Sequence, residues 1–225
     1  NAMGGVLHLH TTDPFAHQGG DVCTGISSRD GGGYVSASLH ERLSDKLAMT
    51  AGGFYEGTSG IFRNDTLNKR VGGSNRFGGR LGFHYRPADR WRLGLTASYD
   101  YSDEDAYPYF YGGMADATEE QQPNLLGKIT ANRDNSYRRH LLNGAFTAQY
   151  DAGAFTLSSV TGYQFLNDRM MMDQDFLSID YYTLEQRQKS HALTEEIVLK
   201  GKPGKRIDWT VCAFGMWQNM RTKAP

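Results

Sequence analysis

Long hydrophobic runs are missing from this 225-residue chain. No segment approaches the roughly 18 consecutive apolar residues of a membrane-crossing helix. That excludes helical spanning but not a membrane, because a barrel strand shows lipid only every second residue. An excess of either charge is also missing: 24 Lys and Arg stand against 25 Asp and Glu, for a net charge of -1. With no basic stripe, nucleic acid is not an expected partner. Cysteine is nearly absent. Cys23 and Cys212 lie far apart, and two lone cysteines define no disulfide framework. No nucleophile elbow, phosphate loop or zinc-ligand spacing occurs, so neither an enzyme nor a cofactor is expected. No signal segment opens the chain, which points to an incomplete sequence.

What the chain has instead is strict alternation. Trp91, Leu93, Leu95, Ala97, Tyr99 and Tyr101 fall on one face of an extended segment, and Arg92, Gly94, Thr96, Ser98 and Asp100 on the other. The preceding segment repeats the pattern, with Leu81, Phe83 and Tyr85 opposite Arg80, Gly82 and His84. Between the two lies Arg86-Pro87-Ala88-Asp89-Arg90, where proline sets φ for a tight turn. Further tight turns are expected at Leu43-Ser44-Asp45-Lys46, Asp151-Ala152-Gly153-Ala154 and Gly201-Lys202-Pro203-Gly204-Lys205.

Long polar connections separate these turns, at Gly57 to Asn75, Ser102 to Ser136 and Asn167 to Tyr182. Each exceeds the usual hairpin loop of about 2–5 residues. A first connection near Arg29-Asp30-Gly31-Gly32-Gly33 is short. Alternation of short turns with long loops is the layout of an outer-membrane barrel, whereas a soluble sandwich has no reason to keep its long loops at one end. About nine strands of about 9–13 residues are expected, near the length of a tilted crossing. They start near Asp21, Tyr34, Leu47, Phe77, Trp91, His140, Phe155, Leu184 and Asp208. Aromatic residues fall at the strand ends, where amphipathic rings suit headgroup depth: Tyr85, Trp91, Tyr150 and Phe155 at the short turns, Tyr55, Tyr99, Tyr101, Tyr163 and Phe165 at the other end.

The opening residues, Asn1-Ala2-Met3-Gly4-Gly5-Val6-Leu7-His8-Leu9-His10-Thr11, resemble the segment that ends the plug domain of TonB-dependent outer-membrane receptors. Gly57 to Asp65 (GTSGIFRND) is similar to an early extracellular loop of that family. Leu157 to Phe165 (LSSVTGYQF), followed by Asp173-Gln174-Asp175, resembles a later hairpin, and Thr194 to Leu199 and Ala213-Phe214-Gly215 resemble family strands. Each motif alone is weak, and their order carries the resemblance. It implies an all-β fold, an antiparallel up-and-down transmembrane β-barrel segment of about nine strands, short of the full barrel of about 22. Residues 1–18 would be the end of the plug and its linker, and 19–225 the first part of the barrel. The function implied is part of a receptor that binds and imports a scarce nutrient such as a siderophore, vitamin, haem or glycan. Its partners would be outer-membrane lipid, the small-molecule ligand and, for the full-length relative, the TonB system, whose gripping segment is absent here. The location implied is the bacterial outer membrane, and the fragment alone is expected not to transport.

Few residues carry chemistry. His8 and His10 share one face of a short strand without an evident third ligand, so polar side chains at a plug-to-barrel strand is the plainer reading. Asp103, Glu104 and Asp105, and likewise Asp173 and Asp175, read as solvated loop carboxylates rather than a calcium site. Glu195 and Glu196 are adjacent on a strand and face opposite ways, which argues against an acid/base pair. The best recognition candidates are Tyr107, Tyr109, Phe110 and Tyr111, flanking Pro108 on a long loop, which would stack on a flat or glycosidic ligand. Loop packing is the competing use of these rings. Met170-Met171-Met172 is expected in another long loop. The alternative architecture is a small self-closed barrel serving as a binding or structural module, which would join the first and last strands and bring Cys23 towards Cys212.

An open sheet leaves two unpaired edges that lipid cannot satisfy. The isolated chain is therefore expected to need detergent, or to oligomerise or aggregate. A stable soluble monomer in plain buffer, seen by light scattering, would contradict the barrel-segment reading.

Overall fold

The structure, a computed structural model, describes residues 12–106, 108–110, 112, 127–201 and 207–224. Nine strands form one antiparallel sheet in simple meander order. They are β1 (Gly19–Ser27), β2 (Gly32–Arg42), β3 (Leu47–Thr58), β6 (Ser74–Tyr85), β7 (Trp91–Glu104), β8 (Ser136–Asp151), β9 (Phe155–Asp173), β10 (Thr183–Gly201) and β11 (Thr210–Lys223). A separate small hairpin, β4 (Phe62–Asn64) and β5 (Lys69–Val71), sits in the connection between β3 and β6. All pairings in the large sheet are antiparallel neighbours in sequence, as expected of an up-and-down barrel wall. Among the described residues β1 and β11 do not touch, so the sheet is open. This rejects the self-closed small barrel. Cys23 and Cys212 stand on the two edge strands as free thiols, and the Cys23 Sγ lies 3.5 Å from the Tyr34 hydroxyl.

The tight turns form where local chemistry directs them. Ser44 folds its hydroxyl back to accept the Lys46 and Leu47 N–H groups at 3.2 and 3.0 Å. Gly153 takes φ +86°, which an L side chain rarely adopts, and its N–H donates to Asp151 Oδ1 at 2.8 Å. Trp91 N–H donates to the Ala88 carbonyl at 3.0 Å, closing the proline-bearing turn. These turns lie at one end of the sheet and the long connections at the other.

Register fixes the two faces. One cross-strand row runs Phe83, Leu95, Phe146 through the pairings of β6, β7 and β8. A row of the opposite face runs Gly52, Arg80, Ser98, Asn143, Gln164. One face is thus apolar and the other polar, and the apolar face is uncovered: Leu95 is 56% exposed. The aromatic residues meet across strands, Trp91 with Tyr150 at 4.8 Å between centroids and Phe77 with Tyr101 at 5.1 Å. One polar group interrupts the apolar face. Glu195 accepts hydrogen bonds from Ser159 at 2.6 Å and Thr161 at 2.5 Å, while Glu196 points to the other face.

Three expectations are corrected. The strands at the C-terminal side are longer than foreseen, with 16 residues in β8 and 19 in each of β9 and β10. Consequently Met170-Met171-Met172 lies within β9, paired with β8 and β10, and not in a loop. Asp103 and Glu104 lie within β7, not in a solvated loop, and Asp103 pairs with Arg138 at 3.1 Å. The reason is common to all three. Polar residues on both faces read as loop, yet ladder bonds continue wherever neighbouring strands stay in register, and cross-strand ion pairs sustain them.

Residues 12–18 lie against the polar face at the short-turn end. Arg86 holds Asp13 at 2.7 Å and covers the Phe15 ring at 4.0 Å. Burial raises the Asp13 carboxyl, but the Phe15 N–H and the Arg86 guanidinium outweigh it and hold the group below the usual carboxylate range.

Candidate ligand-binding surface on the long loops

Among the described residues most of the buried side chains lie at the long-loop end. Asn64 is 2% exposed and Ala131 2% exposed, and Thr130 and Asp173 are buried beside them. Asn64 sits at the end of β4. Its Nδ2 donates to the Ala131 carbonyl at 2.8 Å and its Oδ1 accepts the Leu67 N–H at 2.9 Å. The Thr66 hydroxyl donates to the Thr130 carbonyl at 2.7 Å, and the Asp65 N–H donates to the Ile129 carbonyl at 2.9 Å. Lys69 pairs with Asp134 at 2.5 Å. The connection after β3 is thereby docked on the stretch before β8.

The connection after β9 joins the same cluster. Asp173 accepts the Asn132 N–H at 2.9 Å, and the Thr130 hydroxyl donates to the Phe176 carbonyl at 3.1 Å. Arg133 grips Asp180 with both arms of its guanidinium, Nε at 2.9 Å. That bond holds the Asp180 carboxyl below its ordinary value. Asp175 is partly desolvated, which raises it, but the N–H groups of Leu177, Tyr182 and Tyr181 prevail and lower it. Asp173 and Asp175 thus tie backbone together, and solvation is not their role. Among the described residues no group of three or more His, Cys, Asp or Glu is arranged to hold a metal.

On this polar scaffold stand apolar side chains. Tyr109 and Phe110 are half-exposed on the connection after β7. The Tyr109 ring meets Phe176 edge-on at 5.5 Å. Gly72, at φ +81°, lies in a gap between Phe62 and Pro108, since a Cβ there would meet them at 3.2 and 3.5 Å. Ile61, Phe62, Ile179, Tyr181 and Tyr182 are also exposed, Tyr181 at 72%. The structure thus places Tyr109 beside an aromatic neighbour and leaves Phe110 accessible, while Tyr107 and Tyr111 lie outside the described residues, as do His8 and His10. Phe176, Tyr181 and Phe62 were not singled out from the sequence. The signal that would have found them is a tyrosine pair within a loop otherwise made of turn residues. Such a surface, rigid underneath and aromatic on top, suits stacking against a flat or sugar-like ligand.

No protein-family model matches the chain. Among solved structures, the ferric yersiniabactin uptake receptor FyuA from Yersinia pestis is similar in fold, with a TM-score of 0.75 over 91% of this chain at 14% sequence identity. The matched region is 31% of that receptor, so this chain spans about a third of its length. The likeness shows the fold alone, an open antiparallel sheet like part of a β-barrel wall.

Replacing Asn64 with Ala leaves the Ala131 carbonyl and the Leu67 N–H without partners, at a cost of about 1–3 kcal/mol. Amide exchange should rise across 59–73 and 127–135 and stay unchanged in β6 to β10. The Arg133–Asp180 tie depends on pH in a definite direction. A carboxyl held low contributes stability that is complete above its unfolded pKa of about 3.9 and is lost as pH falls through the lower folded value. Protection from exchange in 174–182 should therefore fall below about pH 4, and Asp180→Asn should weaken that dependence, leaving the part due to Asp175.

Proposed function

We propose that this chain forms part of the wall of a TonB-dependent outer-membrane receptor, one that captures a scarce small nutrient on its long loops and admits it through the barrel. One observation carries this reading. A nine-stranded open meander keeps its tight turns at one end, interlocks its long loops at the other, and shares its fold with an uptake receptor. The order of family-like motifs along the sequence supports the TonB-dependent type. In this reading the apolar face of Leu81, Leu95, Phe146 and Leu193 meets lipid, and the polar face of Arg80, Asp100 and Asn143 faces the lumen. The short turns then lie in the periplasm and the loop cluster faces outside. Residues 12–18, clasped by Arg86 on the lumen side, serve as the linker from plug to barrel.

The ligand is a small molecule with a flat or glycosidic surface, met by Tyr109, Phe110 and Tyr181. The neighbouring structure's siderophore role makes a ferric chelate the first to test, with haem, a vitamin and a glycan following. The chemistry is binding and passage, not bond-making. By itself an open wall encloses no channel, so transport belongs to the complete receptor.

A pair of substitutions tests the orientation. Leu95→Arg puts a charge on the lipid face midway between the aromatic ends and should cost about 2–4 kcal/mol of folding into bilayers. Thr96→Arg, one residue on and facing the lumen, should fold nearly as well as the parent. Equal tolerance at both positions, measured as the folded fraction of the complete barrel in liposomes, would refute the wall reading.

A further inference from the structure

Above the apolar band, the lipid-side face of β8 to β11 carries an unbalanced row of cations. Register places Arg138 opposite Arg169, Arg169 opposite Arg187, and Arg187 opposite Lys223. The next row on the same face holds His140, Asn167, Lys189 and Arg221. Six cations therefore occupy two adjacent rows. Two carboxylates answer them. Asp103 pairs with Arg138 at 3.1 Å, and a single Glu185 oxygen is shared by Arg169 at 2.7 Å and Arg187 at 2.5 Å. Among the described residues Lys189, Arg221 and Lys223 have no ion-pair partner, and all three are exposed.

The opposite face at the same height is balanced. There Arg139, Asp168, Gln188 and Thr222 stand in one row, for no net charge. Like charges directly opposite each other destabilise a sheet unless an anion lies between them. The surplus belongs to the lipid side alone, which gives the row a reason other than solubility.

What lies directly beneath the cations indicates the anion. Tyr99 meets His140 Nδ1 at 2.8 Å, and Tyr163 meets His191 Nδ1 at 2.9 Å. Each histidine also stacks on a second ring, Tyr101 or Phe165, at 4.8 Å. The same device is thus built twice, two strands apart, from amphipathic rings of the kind that sit at headgroup depth. Leu142, Leu193 and Trp217 stand in the same rows as these rings, and Leu95 and Phe146 come below them. Down the wall the order is cations, amphipathic rings, apolar side chains. A lipid whose anionic phosphate sits just above its acyl chains presents the complementary order.

We propose that this face of β8 to β11 is a docking site for a phosphate-bearing anionic lipid headgroup of the outer leaflet. Arg169 and Arg187 supply planar forks suited to phosphate oxygens, and Lys189, Arg221 and Lys223 add point charges around them. The inference rests on the wall reading above, since it requires this face to meet lipid. An acidic protein would match the charge but not the contiguous ring and apolar bands.

The test reconstitutes the complete barrel that contains this wall, with its edges paired, into phosphatidylcholine vesicles, alone or doped with phosphatidic acid or with a bisphosphorylated glycolipid, then extracts it gently and measures lipid retained by mass spectrometry. The expected result is insertion into all three membranes with enriched retention of the two anionic phosphate lipids, weakening as salt is raised. Lys189→Ala/Lys223→Ala, which breaks no ion pair, should lower that retention about fivefold per cation removed. Arg80→Ala/Arg92→Ala on the lumen face should leave it unchanged. Insertion without anionic-lipid enrichment, or equal loss in both double variants, overturns the docking site and leaves the row to an acidic partner. Failure to insert into any of the membranes overturns the wall reading and the docking site together.

Discussion

The backbone hydrogen-bond ladder is what everything else in this protein depends on. Among the described residues the buried apolar side chains are Pro14, Ala48, Ala106 and Ala131, too little to drive the folding of a chain of this size. The sheet is therefore not assembled around a core. It is held by uninterrupted antiparallel pairing from β1 through β11, which satisfies every interior strand on both sides. In hydrocarbon an unpaired N–H or C=O costs several kcal/mol, so such pairing is the condition for crossing at all. The two free edges are where that condition is unmet, and they are what a complete barrel wall would cover.

Once the ladder exists, its period of two sorts the side chains, and the sorting differs with height. In the middle, apolar residues point one way and small polar residues the other. Towards the long-loop end the apolar face becomes charged, and the strands run on to 19 residues, about twice what a tilted crossing requires. Beyond the rings of Tyr99, His140, Tyr163 and His191 the sheet continues as a polar structure, stitched by Arg138–Asp103 and Arg169–Glu185. The loops then close over it through Asn64, Thr130, Asp173 and Arg133, so the exposed rings at that end stand on fixed backbone and not on free coil. Preformed loops lose little entropy when they capture a ligand.

The middle of the sheet was legible in the sequence in detail. Trp91 to Tyr101 alternates so strictly that strand, faces and aromatic end are all visible, and the Pro87 and Gly153 turns mark their hairpins by backbone preference alone. The upper parts of β9 and β10 were not legible, because Asn167, Asp168 and Arg169 look like loop when only the spanning part of a strand is expected to be apolar. The small hairpin of β4 and β5 was missed for a related reason. Three-residue strands carry no period, and Asn64 is held by Ala131, 67 residues away. Of the rings at the long-loop end, Tyr109 and Phe110 were visible as a cluster, whereas the place of Phe176 beside Tyr109 depends on a contact between two separate connections.

Alternation and turn chemistry, both local, determined by themselves that this chain is a meander of amphipathic strands with short turns at one end and long loops at the other. A side chain's face follows from its parity in the strand, and a turn from the residues that can adopt its angles. Only the tertiary structure decided that the sheet stays open, that the long loops dock on one another, and that Arg138, Arg169, Arg187 and Lys223 fall in a single row. Those facts depend on cross-strand register and on contacts between distant segments, and no local preference encodes either.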